Sequence, residues 1–262
     1  MEFSSLYGPA VPELGWVPAP RYQLRRRRIL HQLRNMEPGP VLEIGSGAGM
    51  LLQELAARGY QCTALERSAQ ARELISRISA KTGATIDVHD VPQAEWGKRF
   101  PLIMAFEVLE HIEDDLKAFK EWASWLCLGG TLLMSVPAHQ RLWTVADEWA
   151  GHYRRYDKKG IFQLVNNAGL SIDHFEYLGF PFGNITEKLQ ARGIQSNSRS
   201  AKRLDRVASN DRSGIDRGHV LRWYPAMKSA PGRAVMRCAL AAQVIFKRLP
   251  LGNGFLLRAS LR

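Results

Sequence analysis

Three stretches of this chain carry residue types at spacings that chemistry can use. Glu43-Ile44-Gly45-Ser46-Gly47-Ala48-Gly49 follows a short apolar run and precedes an amphipathic one. Alternate glycines permit a tight turn and let a ligand approach the backbone closely. The dinucleotide fingerprint GxGxxG would need glycine at position 50. Met50 stands there, the third glycine is Gly49, and an acid lies two residues before the first. A carboxylate is unfavourable beside a pyrophosphate and favourable beside an ammonium group. The second stretch, Glu107-Val108-Leu109-Glu110-His111, puts two carboxylates and an imidazole within five residues. Such a set can hold a cation or move a proton. The third runs from Val136 to Tyr156 and contains His139, Trp143, Asp147, His152 and Tyr153.

Elements that could position these residues can be read from hydrophobic spacing and turn residues. Residues 40–44 read as a strand, 45–49 as a glycine turn and 50–58 as a helix stopped by Gly59. The pattern continues with strands over 60–65, 85–88, 102–106, 131–136 and 170–178, and helices over 69–82, 113–126 and 158–167. Strands alternating with helices predict an α/β fold with a doubly wound, mostly parallel sheet. In such sheets the loops at the C-terminal ends of the strands face the ligand. That makes His139, Trp143, Asp147, His152 and Tyr153 pocket candidates. Residues 1–20 are expected to be irregular. A helix is expected over 22–36, with Arg25 to Arg28 as a solvated face. Residues 192–220 read as a polar, basic, lid-like insertion, 230–249 as a helix and 254–261 as a last strand.

The glycine-rich segment and the residues after it resemble the class I S-adenosylmethionine (SAM)-dependent methyltransferases, of the ubiquinone-pathway small-molecule type. The resemblance runs along residues 38–180 and rests on five features in order: Glu43 to Gly49, Glu66 at the end of the second strand, Asp90-Val91, Phe106 to His111, and Leu128-Gly129-Gly130. It implies a Rossmann-like seven-stranded sheet with its last strand antiparallel, plus an N-terminal helix and an insertion before that strand. It also divides the chain into a helical segment over 1–38, a SAM-binding core over 39–180, a basic lid over 181–252 and a final core strand over 253–262. By the same resemblance Glu43, Gly45, Ser46, Gly47 and Gly49 hold the methionine end of SAM. Glu66, with Arg67 beside it, takes the ribose hydroxyls. Asp90 and Val91 take the adenine, and Glu107 flanks the methionine part. Pro101 and Leu128 depart from the usual pattern, where Asp and Pro often stand, and neither touches the implied cofactor groups.

A methyl transfer needs the acceptor held in line with water excluded, and a base only where the acceptor must lose a proton. His111, His139 and His152 are the candidate catalytic groups, with Trp143, Asp147 and Tyr153 as acceptor contacts. The Glu107, Glu110, His111 spacing also resembles a metal-binding ExxEH of small-RNA 2′-O-methyltransferases and some ubiquinone-pathway O-methyltransferases. Mg²⁺ there would position and acidify a hydroxyl. The same His could equally serve as base or hold the loop. These residues are compatible with three functions: O-methylation of a small molecule, RNA 2′-O-methylation, and a non-catalytic SAM-binding protein docked on membrane. No DPPY-like segment comes after the fourth strand and no cysteine follows a proline, which argues against methylation of nucleic-acid bases.

Charge biases the choice of acceptor. The net charge is +11, but residues 39–150 hold 10 bases against 15 acids and residues 151–262 hold 20 against 7. The acidic stretch coincides with the cofactor region. The basic excess points to a negatively charged acceptor, or a lipid- or sugar-linked one, and less to nucleic acid. Bases beside an apolar face over 233–248 resemble an interfacial helix able to make peripheral membrane contact. Three cysteines with no CxxC pair, and no charged segment followed by an apolar run at the start, fit a cytoplasmic protein.

Overall fold

A computed structural model describes residues 1–197, 215 and 217–261. The first strands, β1 (Glu2–Ser4) and β2 (Gly8–Ala10), form an antiparallel hairpin. Residues 1–20 are thus partly ordered, because Tyr7, Ala10, Val11, Trp16 and Val17 find apolar cover. Helix α1 (Pro20–Leu33) opens with proline at its first turn, where no amide hydrogen is needed. The alternating part continues as β3 (Pro40–Ile44), α2 (Met50–Ala56), β4 (Gln61–Leu65), α3 (Ala69–Thr82), β5 (Ile86–His89), β6 (Phe100–Phe106), α4 (Asp115–Trp125), β7 (Leu126–Pro137), α5 (Val145–Ala150), α6 (Lys158–Asn167) and β8 (Leu170–Leu178). Side-chain caps fix several starts. Ser68 accepts from the Ala71 amide at α3, and Asp157 accepts from the Gly160 amide at α6. The chain closes with α7 (Phe182–Asn197), α8 (Gly218–Leu221), α9 (Tyr224–Lys228), α10 (Ala230–Phe246) and β9 (Gly254–Leu261).

The seven-stranded sheet has the order β5-β4-β3-β6-β7-β9-β8. Strands β3 to β7 pair in parallel, and β9 runs antiparallel to both β7 and β8. This is the α/β sheet with an antiparallel last strand that the resemblance implies. One face packs under α4 and α6 around Trp96, Phe119, Trp122 and Leu132. The other packs under α1 and α2 around Ile29, Leu33, Leu52 and Leu55. Strand order reverses between β3 and β6, so a crevice opens past their C-terminal ends. The glycine turn after β3 and Glu107 after β6 meet there.

Several local expectations need correction. Strand β6 begins at Phe100, and Pro101 sits inside it at a register shift between Phe100 and Leu102, since proline cannot donate to the ladder. Strand β7 begins five residues earlier than expected, at Leu126, and turns at Gly129 with φ +73°. Of the run Arg25 to Arg28 only Arg27 is exposed, so it is not a solvated face as a whole. Arg26 makes a bidentate pair with Glu54 (2.7 and 2.7 Å), and Arg28 one with Glu176 (2.7 and 2.8 Å), all four side chains buried. Partners this far along the chain cannot be seen in a local charge run. The lid-like reading of 192–220 also changes. Residues 192–197 continue α7 and 218–221 form α8, while 198–214 and 216 lie outside the described residues. Among the described residues no helix is long and apolar enough to cross a membrane.

Candidate active site

A cavity of about 280 Å³ lies over the crevice, walled by the glycine turn, the end of β6, α1, α5 and α7. Its floor is the sequence-predicted cofactor turn. Gly45, Gly47 and Gly49 have φ of +65°, +54° and +66°, a region that β-carbon-bearing residues avoid. A β-carbon on Gly45 would lie 2.5 Å from Val108 Cγ2, so space as well as dihedral demands glycine there. Glu43 projects from β3 into this floor. Its Oε2 is buried with no hydrogen-bond partner, as is the Ser46 hydroxyl. Burial, reinforced by Glu66, pushes the Glu43 carboxyl up to about 8 despite Arg25 nearby. An unpartnered buried carboxyl and a backbone turned open by glycines suit a ligand that brings an ammonium group.

Opposite Glu43 stand Glu107 and Arg25. Glu107 adopts φ +57°, unusual for a residue with a side chain, which turns its carboxylate inward. The Ser135 hydroxyl donates to its Oε1 at 2.8 Å, and Arg25 Nη1 lies 3.5 Å away. Burial opposes its charge, but Arg25, Arg21 and Ser135 outweigh that and hold it below the usual carboxylate range. Glu66, at the end of β4, accepts from the Gly47 amide at 2.7 Å and the Ser68 amide at 2.9 Å. It therefore braces the glycine turn as well as facing the crevice edge. Arg67 is exposed, its carbonyl accepting from Arg72. Asp90 is also exposed, 3.8 Å from Arg72 Nη2, and Val91 is exposed beside it. Glu66, Arg67, Asp90 and Val91 lie along the ends of β4 and β5, outside the cavity walls.

The far wall holds a histidine cluster. His152 Nδ1 lies 2.9 Å from Asp147 Oδ1. Burial works against the Asp147 charge, but hydrogen bonds from His152, Arg155 and the Thr144 amide keep its carboxyl strongly depressed. A carboxylate only accepts, so Nδ1 carries a proton, and Nε2 on the other side of the ring lies 4.0 Å from Glu110 Oε1. Asp147 is held in turn by Arg155, at 2.8 Å from Nε to Oδ1 and 2.6 Å from Nη2 to Oδ2. Arg155 also donates to Glu187 of α7 at 2.6 Å, and Asn253 donates to the other Glu187 oxygen at 2.6 Å. The His152 ring crosses His111 edge to face at 4.6 Å between centroids. Burial and the neighbouring His152 push His111 down to about 3, so its ring is neutral. Glu110 is fully buried with neither carboxylate oxygen hydrogen-bonded. Burial, with Glu107 beside it, raises its carboxyl well above the ordinary range.

Of the sequence-predicted acceptor residues, His111, Asp147 and His152 line the cavity, whereas Trp143 and Tyr153 do not. His139 is elsewhere. Its ring stacks on Tyr177 (6.0 Å, 12°) and meets the edge of Phe255, outside the cavity walls. Within the ExxEH segment Glu107 turns to Arg25 and Ser135. The group whose donor atoms lie within 4.8 Å of one another is Glu110, His111 and His152. The spacing did not reveal Arg25, Arg155, Trp149 or Glu187, all of which line the cavity. Arg25 was hidden in a basic run and Glu187 in a stretch without strand-helix rhythm.

The family described as a methyltransferase domain matches residues 20–174, more than half of the chain, from α1 into β8. The chain belongs to this methyltransferase family. With the turn and fold above, it is a SAM-dependent methyltransferase of class I. A ubiquinone biosynthesis O-methyltransferase of Xanthomonas axonopodis pv. citri (strain 306) is 28% identical over 174 residues, 59% of this chain and 72% of that protein. The solved cyclase SpnF superimposes with a TM-score of 0.57 at 16% identity, over 98% of this chain and 87% of that one. Phosphoethanolamine N-methyltransferase 2 of Haemonchus contortus, solved with SAM, gives a TM-score of 0.55 at 17% identity. The match covers 91% of this chain and only 52% of that longer one. At these identities the two structures speak for the fold alone.

Proposed function

We propose that this methyltransferase transfers the methyl group of SAM to a hydroxyl oxygen of a small-molecule acceptor. The observation that carries the reading is the His152–Asp147 pair. It sets an imidazole, oriented through Nδ1 by a carboxylate, in the wall of the cavity that the glycine turn also lines. SAM supplies a methyl group already activated by a sulfonium. Glu43 and Glu107 face its ammonium, Arg25 its carboxylate, Glu66 its ribose and Asp90 with Val91 its adenine. His152 Nε2 accepts the acceptor's hydroxyl proton as the oxygen attacks. Asp147 fixes the ring and stabilises the imidazolium that forms, as an orienting carboxylate does in other histidine bases. Half-buried Trp149, with Trp16 and Tyr22 packed edge to face at 5.3 Å, limits water at the cavity mouth. Half-buried Arg21 in the cavity wall favours an acceptor with negative charge. The named Xanthomonas relative supports oxygen over nitrogen as the receiving atom.

A second reading adds a metal. Glu110, His111 and His152 bring donor atoms within 4.8 Å of one another, and the Glu110 oxygens and His111 Nδ1 are buried without hydrogen-bond partners. One carboxylate and two imidazoles suit a transition ion such as Zn²⁺ or Mn²⁺ better than Mg²⁺, which prefers oxygen ligands. In that case the ion would acidify the hydroxyl and His152 would be its ligand instead of the base.

The test is incubation with methyl-labelled SAM and a panel of catechols, phenols, carboxylated phenols and short RNA, with and without exhaustive chelation. Labelled methyl ethers in the chelated sample support the base reading. Activity that returns only with added metal supports the second. Label found only on nitrogen, or only on RNA, refutes the small-molecule hydroxyl acceptor.

A further inference from the structure

We infer that the outer face of α10, together with Trp223 before α9, is a docking surface for an anionic lipid bilayer. The inference stands apart from the acceptor reading, because none of these residues touches the cavity described above. Helix α10 is pinned in rotation by its inner side. Met236, Ala239 and Gln243 are buried, and the Gln243 amide accepts from Gly179 N and donates to Leu24 O, each at 2.8 Å. At 100° per residue, Ile245 then points opposite Gln243. Ile245 is 73% exposed, Val235 54% and Val244 43%, and Leu249 just beyond the helix 45%. Ala234, Cys238 and Ala241 are exposed between them. A solvated helix face carries acids, amides and lysines. Over Ala230–Phe246 the only charged side chains are Arg233 and Arg237, both exposed.

The apolar face continues sideways. Trp223 is 70% exposed, at the rim of an apolar groove of about 230 Å³ that Tyr7, Phe182, Met227, Val235 and Met236 line. A groove of that kind accepts hydrocarbon and offers little to a polar ligand. Tryptophan at the edge of an apolar face, flanked by arginine, is the composition of interfacial helices.

Charge selects the occupant. Residues 217–262 contain nine bases (Arg217, Arg222, Lys228, Arg233, Arg237, Lys247, Arg248, Arg258, Arg262) and no Asp or Glu. Lys228 is answered by Glu2 of the hairpin at 2.8 Å. Among the described residues Arg222, Arg233, Arg237 and Arg248 meet no carboxylate at ion-pair distance. A second copy seated on this face would bring like charges together. A leaflet of anionic headgroups over hydrocarbon satisfies both the arginines and the apolar stripe. Each base near such a surface contributes about a fivefold gain in binding, fading within a Debye length.

The full chain would be floated with vesicles of phosphatidylcholine alone and of an equal mixture of phosphatidylcholine and phosphatidylglycerol. The expected result is flotation with the mixed vesicles and little with the neutral ones. High salt should weaken it. Arg233→Gln with Arg237→Gln should bind about 30-fold more weakly, from the per-base gain, and Ile245→Asp about tenfold more weakly. SAM binding by calorimetry should be unchanged in both variants, which shows that they are folded. Absence of flotation with mixed vesicles overturns the inference, and so does equal flotation of the folded variants. Dimerisation in sedimentation that Ile245→Asp abolishes would assign the face to a second copy instead. Binding of an RNA oligonucleotide that depends on the arginines and ignores Ile245→Asp, without flotation, would overturn it in favour of nucleic acid.

Discussion

Glu43 offers a quantitative handle on the cofactor site. Its carboxyl is buried, unpartnered and pushed up to about 8, so without cofactor it is about 0.9 protonated at pH 7. Binding of an ammonium group against it favours the carboxylate and returns it towards the ordinary 4.5. Cofactor binding should therefore release about 0.9 proton from Glu43 at pH 7 and about 0.1 at pH 9. The α-amino group of the cofactor titrates in the same range. Comparison with Glu43→Gln removes that shared contribution. The assay is isothermal calorimetry in buffers of different ionisation enthalpy, for wild type and variant. From the same pKa, the affinity advantage of wild type over Glu43→Gln should grow roughly 50-fold between pH 6 and pH 8, then level off. Equal proton counts in the two proteins, or an advantage independent of pH, would refute the placement of Glu43 against the ammonium.

Without cofactor the same carboxyl affects stability. Its folded value lies above its unfolded one, so its contribution is fully present below about 4.5 and is lost as the pH rises towards 8. The Tm difference between wild type and Glu43→Gln, measured by calorimetric scanning, should fall across that window. His152→Asn should lower kcat by about a hundredfold to ten-thousandfold with SAM binding retained. Asp147→Asn should lower it too and change the shape of the pH–rate profile, because the amide can present either face to Nδ1. Arg28→Met removes the bidentate partner of buried Glu176, leaving it only the His174 ring at 3.1 Å, and should cost about 3–5 kcal/mol. That corresponds to a Tm lower by roughly 6–20 °C in scanning calorimetry. Adding Glu176→Leu should recover most of the loss.

The sheet and the glycine turn that floors the cavity were legible along the chain because their signals are local. Strand Pro40–Ile44, the helices at 69–82 and 158–167 and the strands at 170–178 and 254–261 fall where hydrophobic spacing puts them. Alternate glycines after a strand permit positive φ without steric cost, and Gly45, Gly47 and Gly49 all adopt it. The acceptor side was less legible. His111, His139 and His152 are alike as letters. Only packing separates His152, oriented by Asp147, from His139, stacked on Tyr177 and edge-on to Phe255. Helix α7 escaped notice because its role is tertiary, with Glu187 joining Arg155 and Asn253 from elements far along the chain.

The sequence by itself determined the doubly wound core, its glycine turn and the acid before it, since backbone dihedrals and amphipathic periods are properties of neighbouring residues. Which charges are buried, which are paired and which remain to meet a ligand was decided by tertiary structure alone. In the run Arg25 to Arg28, Arg25 lines the cavity, Arg26 holds Glu54 and Arg28 holds Glu176. One helix turn places these side chains on different faces, and only the elements packed against each face decide what it meets.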